Sequence, residues 1–274
     1  MTGEKTVASD SPEAVARAFV SARKEARPLD TYPGDPPAAL DAAYRIQDHA
    51  LALDPREVAG WKVGRIPEAQ IPRFGANRLT GPIFAPSIVS QSGVEPVMPM
   101  FDGGFGAAEA EFLLRVGREA PAGMTEFTPH RVRELIDAVH VGIEIASSPF
   151  SGINDLGAAV TISDYGNNNG LIIGPEIPDW RSEDFEKWPV ELLIDGTLAG
   201  SGQASSMPDG VFGAASFLFA LLIERGHPLQ PGQWISSGAV TGVHEVLPGV
   251  RIEARFGAAF QLGCRIGRAE PEVS

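Results

Sequence analysis

The stretch that most constrains the fold is residues 105–116, Phe-Gly-Ala-Ala-Glu-Ala-Glu-Phe-Leu-Leu-Arg-Val, apolar except for Glu109, Glu111 and Arg115. An extended strand sends successive side chains to opposite sides, so residues two apart share a face and Glu109 and Glu111 project together. Two carboxylates on one face repel unless something positive sits between them. A divalent cation with oxygen ligands would reverse that repulsion, and the donor type suits a hard ion such as Mg²⁺ or Mn²⁺. The alternative, a solvated strand edge with both acids in water, is left open by this stretch alone.

Charge and cysteine content narrow the function classes. A formal net charge of -13 disfavours phosphate backbones and anionic membrane surfaces, so neither nucleic acid nor membrane is expected as a partner. With one cysteine, Cys264, an internal disulfide, a cysteine-based zinc site and a Cys-x-x-Cys redox pair are excluded. The residue lies in a strand-like run, 260–266, where a buried structural thiol is expected. Residues 1–10 are polar, and no apolar run reaches the length of a signal segment or a membrane span; a cytoplasmic location is the resulting expectation. The 274 residues, 43% of them hydrophobic, allow one large domain or one domain with an appendage.

Along the chain, Ser11-Pro12-Glu13 supplies a cap, a proline at the first helical position and an acid in the first turn, predicting a helix over 11–27. A second helix is predicted over 38–53, where Leu40, Ala43, Tyr44, Ile46, Gln47 and Ala50 recur at helical spacing. Residues 58–64, Val-Ala-Gly-Trp-Lys-Val-Gly, read as a short strand in which the Lys62 ammonium must reach water or find negative partners. The Pro-, Gly- and Ser-rich segment 67–99 suits an irregular roll better than a βαβ repeat. A short helix is expected over 129–137. In 138–146, Val141, Ile143 and Ile145 face one way while His140, Gly142 and Glu144 face the other, which adds a third carboxylate with Gly142 leaving room beside it. Residues 162–171 read as a polar turn at a pocket rim. Strands follow at 171–174 and 189–194, with Asp195-Gly196 as a hairpin turn into 197–202, and a helix over 208–225. Residues 234–242, 250–256 and 260–266 are expected as sheet. Dinucleotide-binding, P-loop and HExxH motifs are absent.

Five short pieces, taken in order, carry a family resemblance: Gly60-Trp61-Lys62-Val63-Gly64; Glu109-Ala110-Glu111; Val141-Gly142-Ile143-Glu144-Ile145; Ser163-Asp164 with Asn168-Asn169-Gly170; and Ser237-Gly238-Ala239-Val240-Thr241-Gly242. Together they resemble the fumarylacetoacetate hydrolase superfamily, and within it the branch of 2-keto-4-pentenoate hydratases and 4-oxalocrotonate decarboxylases. The resemblance implies an α+β fold, a mixed β-sandwich roll with N-terminal helices. Its expected division is an N-terminal helical segment with the first active-site strand over 1–78 and a catalytic β-roll over 79–271. It further implies one Mg²⁺ or Mn²⁺ bound by Glu109, Glu111 and Glu144, a catalytic Lys62, substrate-binding residues Asp164, Asn168 and Thr241, and assembly into a homodimer or larger homo-oligomer.

That residue set makes chemical sense. A 2-oxo acid chelates a cation through its carboxylate and keto oxygen, and the cation stabilises the enolate that develops. The first expectation is therefore a hydratase acting on a 2-hydroxypenta-2,4-dienoate-like acid in aromatic-compound catabolism, with Lys62 binding substrate charge or moving a proton. The second is a decarboxylase of a 2-oxo diacid, for which Arg65, Arg73 and Arg78 are candidates to bind a second carboxylate. The third is a non-catalytic member that binds metal or a partner. Two departures matter. Hydratases of the branch carry an aspartate between the lysine and the first metal strand, whereas 66–99 holds only Glu68 and Glu95; and the His–Glu pair of the superfamily's hydrolases is missing, since 50–129 contains no histidine.

Overall fold

The computed structural model describes residues 11–91 and 93–272, so the expectations for residues 1–10 lie outside the described part of the chain. Helix α1 spans Pro12–Lys24, with the Ser11 side chain accepting from the Ala14 amide as the sequence predicts, and α2 spans Leu40–Leu53. Strand β1 is Val58–Arg65; after the short helix α3 at Ile71–Phe74 come β2, Arg78–Phe84, β3, Ile88–Ser90, and β4, Val97–Met100. The long strands β5, Phe105–Val116, and β6, Ile136–Ser148, flank α4, Pro129–Arg133. Helix α5, Ala158–Ser163, leads into β7, Asn168–Glu176; β8, Val190–Ile194, and β9, Thr197–Gly202, form a hairpin whose turn residues Asp195 and Gly196 both have positive φ. Helix α6, Gly210–Glu224, precedes β10, Trp234–Ser236, β11, His244–Glu245, β12, Arg251–Phe256, and β13, Phe260–Arg268.

Two sheets result. The larger runs β2-β1-β10-β5-β6-β7-β3, with β11 added to one end of β5; the smaller runs β4-β13-β12-β8-β9. Both are mixed, because β1 pairs parallel with β10, β3 with β7 and β4 with β13. The pleat of β5 divides its side chains: Ala108, Ala110, Phe112 and Leu114 enter the core with Val141, Ile143 and Ile145 of β6, against Leu192, Ala254, Phe256 and Leu262 of the smaller sheet. Phe112 lies 5.0 Å from Phe185 and 5.2 Å from Phe256 between ring centres, both edge to face. Helix α6 is apolar almost all round and buries Val211, Phe212, Ala215, Leu218, Phe219 and Leu222 in the same core. Helices α1 and α2 pack in a separate cluster with Tyr32, Phe84, Phe105, Phe150 and Tyr165. The expected α+β sandwich roll with N-terminal helices is the observed architecture.

Several local expectations change. The helix expected over 129–137 ends at Arg133, because the Leu135 carbonyl already accepts from the Gly117 and Arg118 amides and Ile136 opens β6. In 234–242 only Trp234–Ser236 is strand; Gly238 and Gly242 take positive φ and carry the chain into a loop. Room beside Glu144 is not what Gly142 supplies: a side chain there would collide with Leu113, which fills that space. Cys264 is buried in β13, as expected, and burial pushes its thiol up to about 12. Among the described residues no helix is long and apolar enough to cross a membrane.

Candidate metal centre

The face of the larger sheet opposite the core carries the chemistry. Register does the gathering: Glu109 on β5 sits directly across from Glu144 on β6, Glu111 across from Gly142, and Lys62 on β1 beside Ser236 on β10. Two like charges facing each other across a strand pair destabilise it, so this register runs against the cross-strand rule. One ligand oxygen from each of Glu109, Glu111 and Glu144 falls within a span of 4.8 Å. All three side chains are buried, with Glu111 and Glu144 fully shielded, which removes the solvated-edge alternative.

Glu111 and Glu144 are each held by one oxygen and open at the other. Glu111 Oε2 accepts from the Ser236 hydroxyl at 2.5 Å and from the Gly238 amide at 2.9 Å; Glu144 Oε1 accepts from the Asn168 side-chain amide at 2.9 Å. Glu111 Oε1 and Glu144 Oε2 are buried without a hydrogen-bond partner among the described residues. Orphaned buried oxygens are rare and call for an explanation. Three hard oxygen donors, two of them orphaned, fit a divalent cation of the Mg²⁺ or Mn²⁺ class.

Lys62, expected either to reach water or to find negative partners, finds partners. Its ammonium lies 3.3 Å from Glu144 Oε1 and 3.3 Å from Asn167 Oδ1, buried at the floor of a cavity of about 310 Å³. Burial alone would push the Lys62 pKa down, but Glu144, Glu109 and Glu111 outweigh it and the net shift is upward. For Glu109, burial and then Glu144 raise the pKa to about 7 against the pull of Lys62, and Glu111 is raised well above the ordinary carboxylate value by burial and by its two acidic neighbours.

Other predicted site residues are placed differently. Asp164 does not line the cavity: both its carboxylate oxygens are taken by Arg23, at 2.5 and 2.9 Å. Asn168 likewise turns to Glu144 rather than to the cavity. Thr241 is buried, its hydroxyl without a partner among the described residues, while its neighbours Ala239 and Gly242 form part of the cavity wall. Of the three arginines, Arg65 lines the cavity; Arg73 donates to the Ala38 carbonyl, and Arg78 donates to that of Pro208. Neither acid of 66–99 replaces the missing aspartate: Glu68 is exposed on a short 3-10 turn, and Glu95 pairs with Arg251.

Sequence reasoning missed Asn154 and Asn167. Both line the cavity, and the Asn167 amide donates to Asn154 Oδ1 at 3.1 Å while its oxygen receives Lys62. Tyr165, Gly166 and Asn167 all have positive φ, a strained run that buries the expected pocket-rim turn. Three consecutive asparagines beside a glycine, residues that tolerate the left-handed region, were the available signal.

No family model matches the sequence. Among solved structures, the chain is similar to 4-oxalocrotonate decarboxylase from Pseudomonas putida G7 complexed with magnesium and adipate, with TM-score 0.79 and 18% identity over 96% of this chain and 100% of that one. Fumarylpyruvate hydrolase from Pseudomonas aeruginosa in complex with Mn²⁺ and pyruvate matches with TM-score 0.58 and 16% identity over 76% of this chain and 88% of that one. A 5-carboxymethyl-2-hydroxymuconate delta-isomerase from Mycobacterium smegmatis matches with TM-score 0.55 and 15% identity, over 78% and 81% respectively. These are members of the fumarylacetoacetate hydrolase superfamily, and the fold of this chain is theirs.

Proposed function

We propose that this chain, built on the fumarylacetoacetate hydrolase fold, is a lyase acting on a small 2-oxo acid, with a divalent cation held by Glu109, Glu111 and Glu144. The observation that carries the proposal is the buried carboxylate triad with two orphaned oxygens, set against Lys62 at the floor of a cavity. When bound, the cation supplies Lewis-acid stabilisation of charge developing on a keto oxygen.

Decarboxylation of a 2-oxo diacid is the reading we favour. Arg65 lies in the same cavity wall as Lys62, at hand for a second carboxylate. In a 2-oxo-3-enedioate, breaking the bond to the distal carboxylate releases CO₂, and the electron pair moves along the conjugated chain to the keto oxygen. The dienolate then needs one proton. Lys62, held as an ammonium by the acids around it, is placed to donate it, and Asn167 orients that ammonium. Little further proton handling is required, which suits a wall whose titratable side chains, among the described residues, are Lys62, Arg65 and Glu109.

Hydration of a dienoate is the second reading, favoured by the Asn154, Asn167 and Thr161 side chains, which give part of the wall the polarity to hold a water. Turnover of 2-oxohex-3-enedioate and of 2-hydroxypenta-2,4-dienoate, followed in the ultraviolet with Mg²⁺ and with chelator, separates the two. Metal-dependent CO₂ release from the diacid supports the decarboxylase; conversion of the dienoate to a hydroxy-keto acid supports the hydratase. Neither reaction, despite Mg²⁺ uptake, would leave a member that binds metal or a partner without this chemistry. We propose further that the enzyme works as a homo-oligomer in the cytoplasm.

A further inference from the structure

The guanidinium of Arg23, near the end of α1, is buried 141 residues away in sequence from the acid it meets. Its Nε and Nη2 donate to the two carboxylate oxygens of Asp164, at 2.5 and 2.9 Å. Nη2 also reaches the Ser147 carbonyl at 3.0 Å, and Nη1 reaches the Asn168 carbonyl at 3.1 Å and Asn169 Oδ1 at 3.2 Å. The rings of Phe101 and Tyr165 flank it at 5.4 and 5.2 Å. One planar fork therefore grips both ends of the short segment 164–168.

Between those ends lie the left-handed residues Tyr165, Gly166 and Asn167, a conformation that persists only where the surroundings hold it. From this segment two neighbouring amides reach the site in opposite senses. Asn167 Oδ1 accepts from the Lys62 ammonium at 3.3 Å, and Asn168 Nδ2 donates to Glu144 Oε1 at 2.9 Å. The second bond leaves Glu144 Oε2 as the free oxygen.

We propose that Arg23 is a positioning residue for the metal centre: by clamping 164–168 it holds Asn168 on Glu144 and Asn167 on Lys62, so that an element outside the roll sets the orientation of a metal ligand. The proposal rests on the metal reading given above. A plain structural arginine would stabilise the fold without affecting the site, and the clamp predicts more. Lysine at this position keeps the charge opposite Asp164 but cannot form the fork. Outer contacts of this kind typically shift metal affinity about 10- to 100-fold.

The experiment uses the full chain, Mn²⁺ as the calorimetric probe, and the side-chain amide protons of Asn168 followed by NMR in metal-free protein. Arg23→Lys should weaken Mn²⁺ binding by roughly tenfold or more, as should Asn168→Ala, and the double variant should lose little beyond either alone. The Asn168 amide protons should be protected from exchange in the parent chain and exposed in Arg23→Lys. Unchanged Mn²⁺ affinity in a folded Arg23→Lys, additive losses in the double variant, or an equally protected Asn168 amide would each overturn the clamp. If the parent chain takes up no Mn²⁺, the metal reading fails and the Asn168 amide alone judges the clamp. Should Arg23→Lys not fold, Asn169→Ala removes a single arm of the fork and should weaken Mn²⁺ binding several-fold; no change would count against the proposal.

Discussion

The chain buries two charged clusters, and they are built on opposite terms. Around Arg23 every strong donor meets an acceptor, one positive charge faces one negative charge, and aromatic rings close the sides. Around Lys62 a single ammonium faces three carboxylates, and two of their oxygens have no partner among the described residues. A fold gains nothing from the second arrangement. Buried charge costs several kcal/mol per ion unless paired, so a surplus of two negative charges calls for a cation or, without one, for protons on the raised carboxylates. The balanced cluster is architecture, and the unbalanced one gathers the oxygen donors that a dication takes.

Opposite responses to mutation follow. Arg23→Met would leave Asp164 buried and unpaired, and we expect it to cost about 3–5 kcal/mol in urea unfolding. A loss below about 1 kcal/mol would mean that the two clusters do not differ as described. Glu111→Gln should act the other way on metal-free protein. Its amide oxygen can still accept from Ser236 and Gly238, and at a pH high enough to ionise Glu111 one buried charge disappears, so there we expect a gain of about 1–2 kcal/mol, read as a higher melting temperature. In the same variant Mg²⁺ should no longer raise that temperature. A destabilised Glu111→Gln would show that the triad is satisfied without a cation.

The two clusters were unequally legible. Alternation along single strands put Glu109 with Glu111 on one face and Glu144 opposite the apolar side of its own strand, while the family resemblance joined Glu144 and Lys62 to them as one site. The mixed β-sandwich roll came from that resemblance, with the loop-rich 67–99 favouring an irregular roll over a βαβ repeat. Arg23 could not be read in the same way, since its partners lie 124 to 146 residues away and only the tertiary fold brings them together. One trace was present: Arg23 falls four residues after Phe19 and three after Val20, on the apolar stripe of α1, where a charge demands a buried partner. The polar stretch 162–171 was read as a turn at a pocket rim, which Asn167 bears out, but its burial was not legible because asparagines and glycine usually mark a surface turn. Here the Asp164–Arg23 pair and the Tyr165 hydroxyl, bonded to the Ala50 carbonyl at 3.1 Å and to Asp54 at 3.2 Å, draw it inside.

Acidity sharpens the comparison with a smaller effect. Glu109 titrates near 7 in the folded chain, against an ordinary value of 4.5, because burial and Glu144 oppose its charge. Between those two values the folded state holds more protons than the unfolded one, so metal-free stability should fall as pH rises through that window. Lowering the pH from 7.5 to about 5.5 should therefore raise the melting temperature of metal-free protein, and the stabilisation by Mg²⁺ should shrink because protons compete for the same oxygens. The carboxylates held below their ordinary range, such as Glu95 beside Arg251, begin to lose their contribution only at lower pH. A stability that rises steadily from pH 5.5 to 7.5 without metal would contradict the raised Glu109.

The smallest effect belongs on the same strand as the triad. Arg115 of β5, four residues beyond Glu111, forms a two-pronged pair with Asp137 at 2.8 and 3.1 Å, but both side chains are more than 40% exposed. Water already screens those charges, so Arg115→Ala should cost no more than about 1 kcal/mol, and less as salt is added. Neither the pH profile of the metal-free protein nor its response to Mg²⁺ should move. If either did, the triad would be coupled along β5, and the contrast between the clusters would reflect the strand as a whole rather than the burial of each group.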